Sequence, residues 1–386
     1  MKVTLSVLGK FHTFDLAREL AARQALQAVY SGYPMYKLRR EHLPAGSIHT
    51  YPWVNAPYLA FPQRERLGRF LLRGWEHINC VSFDRHVARH MPACDVFVGL
   101  SSSSLLSGRR AHAMGARYVC DRGSTHIRTQ DDLLRDEYAH WGMPYMPTDP
   151  RIIEREEAEY AEADAITVPS SFSARTFALQ GVPEHKVHRL SYGVNLDAFH
   201  PTAKPAVDRF DILFVGVGDL RKGVPYLLQA FQRLKHPRKS LSFAGAFSPR
   251  MVERMKALGL WSEGIRLLGH LPWHDLRDRM SRSHVMVLPS IEEGFGLVIP
   301  QALACGCPVI ATEHTGAPDL FQHGEAGCIL PIRRADLIAE QLQQLADDPT
   351  TRQRLSDTAQ NVVRNIGGWR AYGDQAMHIY QSLLTT

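Results

Sequence analysis

The chain has 386 residues, of which 45% are hydrophobic and 22% charged, the balance of soluble globular proteins; this excludes a disordered chain, a fibrous array and a lone small binding module, and the length favours two domains. Lys plus Arg outnumber Asp plus Glu by 45 to 39, a formal charge of +6, which suits an anionic partner without choosing among nucleotide, lipid and nucleic acid. The six cysteines form no Cys-x-x-Cys pair and no cluster with zinc spacing, so reduced, mostly buried thiols are expected.

In chain order, the first apolar run covers residues 3–8. It is far shorter than the roughly 18 to 20 apolar residues that cross a bilayer, and no cleavage-site pattern follows it, so a cytoplasmic protein is expected, neither membrane-spanning nor secreted. Between residues 64 and 75, Arg64, Arg66, Arg69 and Arg73 stand among Leu67, Phe70, Leu71, Leu72 and Trp75. That basic amphipathic pattern fits an anionic membrane surface, or a domain helix with a solvated basic face. Further β-rich runs fall at 95–100, 117–121 and 165–169, and then at 211–215, 240–244, 265–268, 284–288 and 308–312. Helix-length segments separate them, which predicts parallel sheets with crossover helices in two doubly wound α/β domains. One such helix is legible in detail: Val224, Leu227, Leu228, Phe231 and Leu234 share a face. The Pro-rich stretch 200–208 reads as the linker between the domains. Ligands of open parallel sheets sit beyond the carboxyl ends of the strands, so the cleft between the two domains is the expected site.

Two loops carry the chemistry. Residues 288–311 read as a strand, a Gly-containing turn and a helix that starts near Leu297 and stops at Gly306. Gly294 and Gly296 let backbone approach a ligand, the free N–H groups of Phe295, Gly296 and Leu297 suit a phosphate, and Pro300 fits a first helical turn. The plainer alternative is an ordinary strand-turn-helix with Glu293 as a helix-start carboxylate. Upstream, a strand runs into a Gly-rich loop that ends in Arg221-Lys222-Gly223. A planar guanidinium fork beside a point charge can neutralise a departing diphosphate. Gly216-x-Gly218 lacks the third glycine of the dinucleotide fingerprint and is not a P-loop, which disfavours hydride transfer and ATP hydrolysis.

These loops, together with Tyr192-Gly-Val-Asn-Leu-Asp-Ala-Phe-His-Pro201, resemble the motifs of the retaining, nucleotide-sugar-dependent glycosyltransferases of family 4. Their fold is GT-B, two facing Rossmann-like domains with a C-terminal crossover helix. The resemblance implies an acceptor-side domain over 1–200, a nucleotide-sugar-binding domain over 209–368, and a helix over 369–386 that returns to the first domain. It implies that Arg221 and Lys222 hold the donor diphosphate, that Glu293 meets hydroxyls of the transferred sugar, and that Gly294, Phe295, Gly296 and Leu297 present backbone N–H groups to sugar and phosphate. Gln301 stands where the family has a second Glu that grips the nucleotide ribose; Gln can still accept from one hydroxyl. Gly9 resembles the glycine loop over which donor phosphates lie. His126, at the end of Tyr118-Val-Cys-Asp-Arg-Gly-Ser-Thr-His126, matches the family histidine that faces the donor sugar and is, with Glu293, the expected catalytic residue. The serines at 101–104 also follow a strand and suit either substrate contact or helix capping.

The implied reaction moves a hexosyl group from a nucleotide diphosphate sugar, a co-substrate, to a hydroxyl of a glycan or glycolipid acceptor. It proceeds with retention, with no metal and no cofactor, the departing phosphate taking the acceptor's proton. No Asp-x-Asp motif lies near the donor loop, and the cations at 221 and 222 take a metal's electrostatic part. Polysaccharide or glycolipid synthesis at the inner face of a membrane follows as the setting, with no nucleic-acid partner. Two other readings are a non-catalytic sugar-nucleotide-binding or membrane-scaffold subunit, with Gln301 as a mark of decay, and a glycoside phosphorylase, which needs a pyridoxal phosphate lysine.

Overall fold

The structure, a computed structural model, describes residues 1–61 and 68–385. Seven strands build a first sheet: β1 (Val3–Val7), β2 (Leu26–Ser31), β3 (Ile48–Thr50), β4 (Val96–Leu100), β5 (Arg117–Asp121), β6 (Ala165–Val168) and β7 (Val187–Arg189). Six build a second: β8 (Phe210–Val215), β9 (Lys239–Ala244), β10 (Ile265–Gly269), β11 (Val285–Leu288), β12 (Val309–Thr312) and β13 (Gly327–Leu330). Every pairing between them is parallel. Helices cover both faces of such sheets, which is why β1, β8 and β11 are buried along their whole length.

The strand orders are β3-β2-β1-β4-β5-β6-β7 and β10-β9-β8-β11-β12-β13. Each order reverses once, between β1 and β4 in the first sheet and between β8 and β11 in the second, and a doubly wound sheet opens a crevice for ligands at that reversal. The fold is GT-B. The helix Val224–Arg233 buries Val224, Leu227, Leu228 and Phe231 on the second sheet, each contributing about 1.5 to 3 kcal/mol.

The chain crosses between the domains twice. On the first crossing Val194 and Phe199 join the second domain's core, and the Asn195 side chain accepts from the N–H groups of Asp197 and Ala198, both at 3.0 Å, to fix the turn. The second crossing passes at Gly367, in the left-handed region at φ 80°, into the helix Gly368–Thr385. The two crossings touch: a Cβ on Gly193 would stand 2.4 Å from the Gly368 carbonyl carbon. The last helix then lies on the helix Thr13–Ala22, where Arg23 pairs with Asp374 at 2.6 Å, and Tyr372, Ala376, Ile379 and Tyr380 enter the core built on β1 and β4.

The basic pattern between 64 and 75 divides. Arg64, Arg66 and Leu67 lie outside the described residues. The rest opens the helix Arg69–His90, where Arg73 donates to the carbonyl of Pro147 and Trp75 Nε1 donates to the Val54 carbonyl at 3.3 Å. Arg73 and Trp75 therefore serve packing, while Phe70 and Leu71 are exposed. Among the described residues no helix is long and apolar enough to cross a membrane, and five of the six cysteines are buried free thiols, Cys94 being half-buried.

Candidate active site

The loops after β1, β4 and β5 face the loop after β11 across a cleft of about 840 Å³. Its second-domain wall is Glu293 and the Phe295-Gly296-Leu297 turn; its first-domain wall includes Lys10, His12, Arg18, Ser101, Arg122 and Tyr192.

On the second-domain side, the loops that follow β8 and β11 are laced together. The Arg221 carbonyl accepts from the N–H groups of Ile291 (2.8 Å) and Glu292 (3.4 Å). Gly223, at φ 68°, lies so close to β11's end that a Cβ would stand 1.9 Å from the Pro289 oxygen. This lacing brings four charged side chains together. Lys222 Nζ pairs with Glu293, and Arg221 Nη1 reaches Glu292 at 3.4 Å and Glu293 at 3.8 Å. Burial, then the neighbouring guanidinium of Arg221, lowers the Lys222 ammonium to about 7, with Asp219 and Glu292 opposing.

Glu292 is wholly buried at the seam between the domains. Its carboxylate accepts from Ser124 Oγ at 2.6 Å, Thr125 Oγ1 at 2.8 Å and Gln130 Nε2 at 3.0 Å, all first-domain donors. Burial alone would raise its pKa; the charge of Arg221 and these hydrogen bonds outweigh that and hold it below the ordinary carboxylate value. The Gly294 carbonyl likewise accepts from Ser170 Oγ at 2.6 Å, and Asp319 accepts from the Ser171 N–H at 2.7 Å and pairs with Arg189. Phe295 packs edge-on against Tyr192, ring centroids 5.4 Å apart. The loop after β11 in the second domain is thus positioned by the first.

On the first-domain side, His12 Nε2 meets Asp121 Oδ2 at 2.6 Å, the other Asp121 oxygen accepts from Thr167 at 2.9 Å, and the imidazole stacks on Tyr192 at 4.3 Å. Arg122 bonds Glu156 at 2.9 Å and the Thr125 carbonyl at 2.9 Å. The serine loop is filled from within. Glu159 accepts from the N–H groups of Ser102 (2.7 Å) and Ser104 (2.8 Å), and Asp84 from those of Leu106 (2.7 Å) and Ser107 (2.9 Å). Burial, then the charge of Glu156, pushes Glu159 up to about 8. With its N–H groups spent on carboxylates of the domain itself, this helix start offers a ligand only the edge formed by Ser101 and Ser102.

The model of the family described as glycosyl transferases group 1 matches residues 197–362. The match falls in the second domain and covers less than half of the chain. Similarity to glycosyltransferases extends outside that segment. The D-inositol 3-phosphate glycosyltransferase of Frankia alni is 25% identical over 97% of this chain and 94% of its own. A D-inositol 3-phosphate glycosyltransferase of Catenulispora acidiphila is 28% identical over 61% of each chain, so the match spans less than two thirds of that relative. Sucrose-phosphate synthase from Thermosynechococcus elongatus superposes at a TM-score of 0.74 over 100% of this chain and 99% of its own, at 21% identity. Anabaena HepE, solved with UDP and glucose, superposes at 0.72 over 99% and 100%, at 15% identity.

The residues singled out in the sequence divide by position. Glu293, Phe295, Gly296 and Leu297 line the cleft. Gly294 is turned against the first domain, Arg221 and Lys222 flank Glu293, and Gln301 lies half-buried on the helix Val298–Ala304. Gly9 is not among the lining residues; Lys10, Phe11 and His12 after it are. His126 is misplaced by the sequence reading. It caps the helix Ile127–His140, accepting from the Arg128 N–H at 3.3 Å, and its ring packs against Tyr160 and Phe177 away from the cleft. Burial lowers it to about 4, so it is a neutral core imidazole. The cleft's imidazole is His12 instead. Its signal was a polar residue one turn past the first strand; nothing in the sequence ties it to Asp121, 109 positions away. Glu292 was missed because it reads as a duplicate of Glu293.

Proposed function

We propose that the chain is a glycosyltransferase that moves a hexosyl group from a nucleotide diphosphate sugar to a hydroxyl of a glycan or glycolipid acceptor, with retention at the anomeric carbon and without a resident metal. The observation that carries this reading is the pairing of Arg221 and Lys222 with Glu293, which lines a cleft that both domains share. Two cations beside the phosphate-binding turn supply the positive charge a departing diphosphate needs. Glu293 accepts from hydroxyls of the transferred sugar, Gly296 and Leu297 offer N–H groups, and Gln301 accepts from a ribose hydroxyl. HepE was solved with UDP and glucose, which supports a nucleotide-sugar donor here by analogy of fold. The exposed Phe70 and Leu71 beside Arg69 support a peripheral position on an anionic membrane.

The test is proton NMR of the first-formed product, with and without EDTA. Retention unaffected by chelator is expected; an inverted product, or activity lost to EDTA and restored by magnesium, overturns those two clauses.

A further inference from the structure

One face of the second sheet departs from the apolar rule of a covered sheet, toward the strand starts and so at the end of the domain away from the cleft. Asp211 of β8 stands in register with Ser240 of β9, and Ser242 of β9 with Arg266 of β10. Strand alternation puts these four side chains on one face. Ser240 Oγ donates to Asp211 at 2.6 Å, and Arg209, just before β8, meets the other Asp211 oxygen at 3.0 Å. The helix Trp273–Arg282 covers this face, and its Arg279 donates to Ser242 Oγ. Four guanidiniums, of Arg209, Arg266, Arg279 and Arg282, thus gather about a single carboxylate. Among the described residues Arg266, Arg279 and Arg282 pair with no carboxylate, and Arg279 Nε is buried without a hydrogen-bond partner, a costly state for a donor. Burial lowers the pKa of Arg279, Asp211 opposing, and the charges of Arg266, Arg209 and Arg282 lower it further. The carbonyl end of the helix accounts for cations in its last turn. It does not account for Arg209 and Arg266, which come from the sheet.

We propose that Arg209, Arg266, Arg279 and Arg282 form a binding site for a phosphate group, in the second domain and apart from the cleft. A guanidinium presents N–H groups in a planar fork that meets phosphate oxygens in pairs, and it stays charged when partly buried, which suits arginine and not lysine to such a site. A phosphate supplies the negative charge that Asp211 alone does not, and an acceptor for the N–H groups that the protein leaves unmet. The same helix anchors the first crossing between the domains: Thr202 Oγ1 donates to Asp278 at 2.8 Å, and the Thr202 N–H donates to Ser281 Oγ at 3.2 Å. An anion seated between helix and sheet steadies the element that holds the linker, and a ligand that binds only the folded chain raises its thermal stability.

The experiment titrates inorganic phosphate and pyrophosphate into the full chain carrying Arg221→Ala and Lys222→Ala, which removes the two cations beside Glu293, at an ionic strength held constant with sodium chloride. The outcome therefore does not depend on the glycosyl-transfer reading. Calorimetry should show one bound pyrophosphate per chain, and thermal unfolding a raised midpoint. In this background Arg266→Gln and Arg279→Gln should each weaken binding by about tenfold or more, the share of one charge-assisted hydrogen bond. Arg266 is exposed, so its variant decides should Arg279→Gln not fold. Arg238, an exposed arginine of the same domain paired with Asp208 at 2.6 Å, is the control for diffuse charge, and Arg238→Gln should leave binding unchanged. No binding of either anion at millimolar concentration, binding that Arg266→Gln leaves unchanged, or an equal loss in Arg238→Gln overturns the site. Vesicles containing phosphatidylglycerol separate the sources of the phosphate. Sedimentation with vesicles that weakens in Arg266→Gln and is competed by pyrophosphate upholds the site with a lipid headgroup as its ligand; binding of the soluble anions without that effect upholds it with a free phosphate compound.

Discussion

Gly294 lies against the backbone of Gly123 in the other domain so closely that a Cβ there would stand 2.1 Å from the Gly123 carbonyl oxygen and 2.9 Å from the Ser124 Cα. Both obstacles are backbone, with no flexible side chain to swing aside. Gly294→Ala should push the two walls of the cleft apart and lower transfer by about a hundredfold, the scale of a misplacement of about 1 Å, while nucleotide binding by the second domain survives. Kinetics with small-angle scattering checks it; a variant of unchanged rate and radius means that the seam yields.

Glu292 ties stability to pH. Its folded pKa lies below the ordinary value of 4.5, so folding favours the charged form. The stabilisation is fully present above about pH 4.5 and is lost as pH falls through the lower, folded pKa. Glu292→Gln should remove that acid-dependent part and flatten thermal stability between about pH 5 and 3. Glu292→Ala should cost about 3 kcal/mol at neutral pH, since it strips the buried donors of Ser124, Thr125 and Gln130 of their acceptor. Denaturant unfolding across pH measures both.

Arg221→Ala and Lys222→Ala should each cut turnover by roughly a hundredfold without unfolding the protein. Lys222 adds a separate signature. Burial holds it near 7, so an arriving diphosphate should draw a proton onto it, and nucleotide binding near pH 7 should take up part of a proton. Calorimetry in buffers of different ionisation enthalpy reads the uptake, and Lys222→Ala should abolish it.

Gln301→Ala should weaken nucleotide binding, whereas Glu293→Ala should chiefly lower transfer, because the first is expected at the ribose and the second at the reacting sugar. Gln301→Glu should tighten binding by about 1 kcal/mol, the gain from a neutral to a charge-assisted hydrogen bond. Titration with the free nucleoside diphosphate and with the intact donor separates the effects. Unchanged affinity in Gln301→Ala places the ribose elsewhere.

Deleting the residues after Gly368 should cause aggregation and loss of activity, because Tyr372, Ala376, Ile379 and Tyr380 leave an open groove in the first domain's core. A soluble, active truncation, seen by size-exclusion chromatography, counts against this.

What the sequence made legible follows the reach of its signals. The runs at 211–215 and 308–312 are strands because continuous apolar segments have nowhere to go but a covered sheet, and the stripe from Val224 to Phe231 is the face of a helix. Strands β2, β3, β7 and β13 escaped notice; β3 and β7 have only three residues each, and Gln27 and Ser31 break the apolar run of β2. The glycine turn at 294–296 was legible because its chemistry is local. The histidine was not, since loop position alone does not distinguish an imidazole capping a helix, as at His126, from one held over a cleft by a distant carboxylate, as at His12.

The return of the last helix has a consequence for how the protein is made. Tyr380 completes a core whose other members, such as Val3, Leu5 and Val96, leave the ribosome far earlier. At elongation rates of about 5 to 20 residues per second, a nascent first domain waits on the order of ten to forty seconds after β7 for its final layer. During that interval the groove that the helix will fill is open to chaperones and to other nascent chains, so a strong ribosomal pause late in the message should lower the soluble yield more than an equal pause near its start.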